Sequence, residues 1–167
     1  MRYSPVQPAR DSWHPKKMVA IRPVTREDRA AVLRLLAAQL AEHAIDMPND
    51  GLARAVDAVM ADPERGRLLV ALADGRAVGV AALSFVFPIE HGGRSAWLEE
   101  LYVEPGHRGR GIGGALLDAA CTLAAACGAA AVDLEVDAGH ARAARLYERA
   151  GFRPLPRARW VRRLTPS

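Results

Sequence analysis

Apolar and polar positions alternate over residues 19–24, which predicts a short first strand. The TRED segment that follows predicts a capping box, with Thr25 capping a helix and Asp28 reaching back. Val32, Leu36 and Leu40 then stand four apart, with Leu33 and Leu35 beside them, an amphipathic pattern ending near His43 or Ala44. DMPND reads as a turn, and Asn49 or Asp50 can cap a second helix. That helix has Leu52, Val56, Val59 and Met60 on its apolar face and is stopped by Asp62-Pro63. Residues 67–72 are an apolar run, Asp74-Gly75 is a two-residue hairpin signal, and residues 77–87 read as a long strand ending at Pro88. A loop over 90–95 leads to a strand over 96–103. From Gly113 onward Leu116, Leu117, Ala120, Leu123, Ala124 and Cys127 keep helical spacing, and Gly128 is placed to stop the helix. Residues 130–136 read as a strand and 141–150 as a helix closed by Gly151. The tail from Phe152 through RARWVRRL reads as one or two edge strands.

The predicted order is β-α-α-β-β-β-α-β-α-β. Hairpin-linked strands pair antiparallel, and the strand-helix-strand unit over 96–136 adds one parallel pair. The expected class is α/β (α+β), a mixed, mostly antiparallel central sheet flanked by helices. Residues 1–17, rich in Pro, Arg and Ser, read as a loosely ordered extension, and residues 18–167 as a single domain. Half of the 167 residues are apolar, enough for one core.

The formal charge of +4 favours anionic ligands such as phosphates and coenzymes. Aromatic residues are few and do not interleave with the basic clusters, so nucleic acid is not an expected partner. No stretch approaches the roughly 20 apolar residues of a membrane span, and the N-terminus lacks the apolar core of a secretory signal. Cys121 and Cys127, on one helix, would have Cα atoms roughly 9 Å apart. That is beyond disulfide reach. They read as buried apolar residues of a reducing, cytoplasmic compartment. No His or Cys partner sits at ligand spacing, so no metal is expected.

The stretch HRGRGIGG, residues 107–114, lies between a strand and a helix. A helix N-terminus offers free N–H groups and a partial positive charge, and glycines let a phosphate approach the backbone. Arg108 and Arg110 add charge. Gly109, Gly111 and Gly114 also match G-x-G-x-x-G, with Asp133 and Glu135 about twenty residues on, as in dinucleotide-binding folds. Against that reading, Glu99 and Glu100 sit in the preceding strand, where a central parallel strand is apolar. EPGHR then separates strand from glycine, and only about fifty residues follow. A phosphate loop of the Walker type is excluded, since no Gly-Lys-Ser/Thr occurs.

RGRGIG, residues 108–113, resembles the Arg/Gln-x-x-Gly-x-Gly/Ala acyl-CoA signature of the GNAT N-acetyltransferase superfamily. LEELYVEP is similar to that family's fourth strand, and RAARLYERAGF, residues 142–152, to its last helix. The resemblance implies that acetyl-CoA is the co-substrate. Its pyrophosphate would lie on backbone N–H groups of Arg108, Gly109, Arg110, Gly111, Ile112, Gly113 and Gly114. Its pantetheine arm would pair with the strand at Leu101, Tyr102 and Val103, with an N–H near Leu101 polarising the thioester carbonyl. Tyr147 would protonate the leaving thiolate. His140 stands where many relatives carry Asn; it could bond the coenzyme arm, cap the helix or face solvent.

Transfer to an amine needs a group to take its proton. Strand alternation puts one of Glu99 and Glu100 on the acceptor side, and similarity to relatives selects Glu99, although a bulge would change the parity. Glu42, His43, Asp46, Glu90, His91 and Trp97 could line the acceptor site, which would suit a small-molecule or peptide amine. No cysteine falls at the cleft, so direct attack in a ternary complex is expected. A homodimer is compatible with the resemblance. Two other classes remain: a non-catalytic acyl-CoA-binding module on the same fold, and a nucleotide-dependent oxidoreductase using the glycine fingerprint.

Overall fold

A computed structural model describes residues 19–47, 50–137, 139–162 and 164. The expected extension over residues 1–17 and the start at Met18 lie outside these residues. In chain order the elements are β1 (Val19–Pro23), α1 (Arg29–Glu42), α2 (Gly51–Ala61), β2 (Gly66–Ala73) and β3 (Arg76–Val86). They continue with β4 (Ser95–Val103), α3 (Ile112–Ala126), β5 (Val132–Leu134) and α4 (Ala141–Arg149). The sheet runs β1-β2-β3-β4-β5, antiparallel except for the parallel β4–β5 pair.

β2 and β3 are buried along most of their length. Helices cover both faces of the sheet, so both side-chain rows of these strands must be apolar. On one face α1 and α2 bring Val32, Leu35, Leu36 and Val56 against Leu68, Val70 and Val80. On the other, α3 packs Leu116, Leu117 and Ala120 on Val78, Leu83 and Leu98. Each such leucine or valine contributes about 1.5–3 kcal/mol by leaving water.

Local chemistry sets the element ends. The Asp28 carboxylate accepts the Thr25 N–H at 2.8 Å and the Thr25 hydroxyl at 3.0 Å, and also binds the Arg22 guanidinium. Asp74 and Gly75 both adopt positive φ, 51° and 77°, the twist a two-residue hairpin requires. Gly128 and Gly151, φ 80° and 89°, stop α3 and α4.

Four details differ from the pattern-based expectation. The inward line of α1 is Val32, Leu35, Leu36 and Gln39. A 3.6-residue turn carries Leu40 round to the side facing α2. β5 is three residues long, because its pairing stops where β4 bends away. The expected final edge strand is absent from residues 153–162 and 164. Pro154 and Pro156 offer no N–H to a ladder, and Arg157 and Arg159 are drawn aside to Glu90 and Glu135. Cys121 and Cys127 are unpaired, as expected, but half-buried.

Candidate active site

β4 is bound to β5 only from Ala96 to Leu98. Its later residues keep β3 as their neighbour. Glu104 N–H bonds Val78 O at 2.9 Å, and ladder alternation turns the backbone groups of Leu101 and Val103 away from β3, toward the side β5 vacates. An open strand edge is thus created in the middle of the molecule.

The divergence coincides with a bulge. Ala82 faces Glu100 and Leu83 faces Leu98, so Glu99 is the extra residue. Leu98 and Leu101 therefore both pack toward α3, while Tyr102 packs toward α1. Simple alternation would separate Glu99 from Glu100. The bulge instead puts both on the α1 side, which corrects the expectation that only one faces it. Glu99 is exposed and accepts the Ser84 hydroxyl at 2.5 Å. Glu100 is half-buried and accepts from Gln39 Nε2. Burial, and secondarily the Glu99 charge, raise the Glu100 carboxyl above its usual range.

Below the open edge lies the glycine turn. Gly109 and Gly111 adopt φ of 78° and 83°. Side chains rarely tolerate this region, and Gly111 is the residue from which α3 starts. The first α3 N–H with an acceptor among the described residues is that of Ala115, on Gly111 O at 3.0 Å. Those of Ile112, Gly113 and Gly114 remain available. Gly113 and Gly114 also leave room for Leu146 of α4, which would lie 3.8 Å and 3.6 Å from added Cβ atoms.

Tyr147 packs beneath the sheet with Phe152, ring centroids 5.9 Å apart. Burial raises its phenol above the ordinary value, and the charge of Glu100 adds to the effect.

Several expected roles change. The Arg108 N–H bonds Pro105 O at 3.2 Å, so the free N–H series begins after it. Its guanidinium donates to Val103 O at 2.7 Å and to Glu42, and lies 5.3 Å from the Tyr102 ring centre. It ties turn, β4 and α1 together rather than pointing at the turn's N–H groups. Glu42, held below the usual carboxylate range by Arg108, also accepts the Tyr102 hydroxyl at 2.9 Å. Glu90 is likewise occupied by Arg157, and His91 by Asp133 at 2.9 Å. Arg159 covers the Trp97 ring at 5.5 Å. Asp46 and Arg110 are exposed. His140 heads α4, and its ring meets His43 edge-on at 5.0 Å.

Sequence reasoning missed four side chains. Gln39 was visible as a polar residue on an apolar helix stripe. Ser84 and Arg159 gave no signal, since they reach Glu99 and Trp97 through the fold. Arg142 lies over the turn, its guanidinium 3.8 Å from where a Gly109 Cβ would stand.

Helices on both faces of a sheet that opens at one strand, above a glycine turn at a helix N-terminus, define an acetyltransferase-type α/β domain. Residues 34–152 match the Acetyltransferase (GNAT) family, and the chain belongs to it. It is 37% identical over 111 residues to streptothricin acetyltransferase of Streptomyces lavendulae, covering 63% of this chain and 54% of that protein. It is 43% identical over 86 residues to mycothiol acetyltransferase of Clavibacter michiganensis, covering 52% of this chain and 26% of that protein. The chain thus spans about half the length of the first relative and a quarter of the second. Among solved structures, an integron cassette protein from the Cole Harbour salt marsh metagenome superposes with a TM-score of 0.77 at 26% identity. The match covers 88% of this chain and 91% of that one. A predicted acetyltransferase from Clostridium acetobutylicum, solved with acetyl-CoA, shares the fold with a TM-score of 0.73 at 21% identity. Coverage is 87% of this chain and 96% of that one. No helix among the described residues is long and apolar enough to cross a membrane.

Proposed function

We propose that this chain transfers an acetyl group from acetyl-CoA to the primary amine of a small cationic molecule, by direct attack in a ternary complex. The observation that carries this reading is the open edge of β4 lying above the glycine turn that heads α3. The free N–H groups of the glycine turn, with Arg110 and Arg142 beside them, would take the pyrophosphate. The Leu101 backbone and the Val103 N–H, turned away from β3, would hold the pantetheine arm as a neighbouring strand would, beside the Val103 carbonyl that Arg108 occupies. The Leu101 N–H, turned into the opening, would stabilise charge on the thioester oxygen.

Two carboxylates on one face suit a cationic acceptor. Glu100, whose proton affinity burial and the Glu99 charge raise, would take the amine proton directly or through water. Glu99 would attract the ammonium group and hold up the proton affinity of its neighbour. Tyr147, which keeps its proton, would give it to the departing sulfur. Both cysteines belong to α3 or its end, away from this arrangement, which supports direct transfer. The names of the streptothricin and mycothiol relatives support a small molecule as acceptor.

The test is an acceptor panel containing streptothricin, aminoglycosides, polyamines and amino-terminal peptides, monitored by thiol release from acetyl-CoA. Turnover with a cationic small amine is expected. Tight acetyl-CoA binding without turnover on any amine would favour a non-catalytic acyl-CoA-binding module.

A further inference from the structure

We propose that His43, Asp137 and His140 form a binding site for a divalent transition metal, with Zn²⁺ the ion best suited to them. His43 comes from the end of α1, and Asp137 and His140, three residues apart, from the turn that leads from β5 to the head of α4. Nδ1 of His43 and Nδ1 of His140 each lie 3.8 Å from the same oxygen, Asp137 Oδ2. One ligand atom from each residue falls within 4.8 Å of the others. The two rings meet at an interplanar angle of 81°.

A separation of 3.8 Å is too long for a hydrogen bond, so the imidazoles converge on the carboxylate without bonding to it. A tetrahedral ion with bonds of about 2.0–2.1 Å holds its ligand atoms about 3.3 Å apart. The three groups reach that spacing by moving roughly half an ångström inward. Two imidazoles and a carboxylate are a donor set suited to zinc and its neighbours in the first transition row.

Backbone bonds hold the ligands in place. Ile45 N–H bonds Leu40 O at 2.9 Å, and Ala44 takes φ 52°, which closes α1 just after His43. His140 N–H bonds Asp137 O at 2.9 Å, which closes the turn between the other two ligands. The nearby cation, Arg108, is already neutralised by Glu42. All three ligands are accessible, so a fourth position is open to water. An ion here would link the end of α1 to the head of α4.

The experiment uses the full chain, without an affinity tag and freed of metal by chelator. Zn²⁺ is titrated by calorimetry, and Co²⁺ by its visible ligand-field absorption. One equivalent should bind, with the intense absorption of a tetrahedral site. His43→Ala, Asp137→Ala and His140→Ala should each weaken binding roughly tenfold or more while circular dichroism stays unchanged. The double variant Cys121→Ser/Cys127→Ser should bind as wild type does. Failure of the wild type to bind, or equal binding by the three alanine variants, would overturn the proposal. So would loss of binding in the cysteine variant alone.

Discussion

Burial first, and a nearby carboxylate second, favour the protonated forms of both Tyr147 and Glu100: the neighbour is Glu100 for Tyr147 and Glu99 for Glu100. For the proposed acid this favours the state it must have before transfer. Tyr147→Phe removes one hydroxyl and little volume. Acetyl-CoA affinity should be kept while kcat falls by roughly 10²-fold or more, measured by calorimetry and steady-state kinetics. For the proposed base, the acid limb of the pH–rate profile should lie above the ordinary carboxylate range. Rate is lost as pH falls through the raised Glu100 pKa, because the protonated form cannot accept. Glu99→Gln removes the like charge that is the second cause of the shift. Its acid limb should therefore move to lower pH, while Glu100→Gln should lose the limb together with most of the rate. If Glu99→Gln instead abolishes the limb, the roles of the two residues are reversed. Sequence could name these neighbours but not divide their duties. The deciding facts are the bulge, the Ser84 and Gln39 contacts, and the approach of α4 from the other side.

At the scale of elements, the glycine turn and its helix were readable because their rules are local. Periodicity located α3, and the absence of side chains before it announced exposed N–H groups. The hairpin at Asp74-Gly75 and the box at Thr25 and Asp28 were readable for the same reason. The length of β5 was not, since nothing in AAAVDLEVD states where β4 will leave it. The tail failed similarly: RARWVRRL has an edge-strand appearance, but Pro154 and Pro156 and partners on other elements hold it away from the ladder. Gly111→Val tests the turn. Valine at φ 83° costs backbone strain of about 1–3 kcal/mol, spent locally at an exposed position. The protein should remain folded by circular dichroism, with a modestly lower Tm, and calorimetry should show acetyl-CoA binding severely weakened. Unchanged affinity in the folded variant would remove the turn from the proposed site.

Across the whole molecule, the sheet separates two tasks. The α1 and α2 side carries the carboxylates, and the α3 side carries the glycine turn. Arg108 links the two sides, bonding Glu42 of α1 and the Val103 carbonyl beside the stretch of β4 that has lost its neighbour. Under the proposed function, the substrate and product forms of the coenzyme would use the same turn and the same vacant strand edge there. These contacts do not distinguish them, since they lie away from the bond that changes. Affinity gained from the open edge is therefore shared between the molecule that enters and the one that must leave. Free coenzyme A should compete with acetyl-CoA, with an inhibition constant of the same order as the KM for acetyl-CoA, and departure of the spent coenzyme should contend with chemistry for control of kcat. Initial-rate inhibition patterns and the effect of solvent viscosity on kcat measure both. A catalyst that completes its sheet with its own substrate would be slowed by its own product.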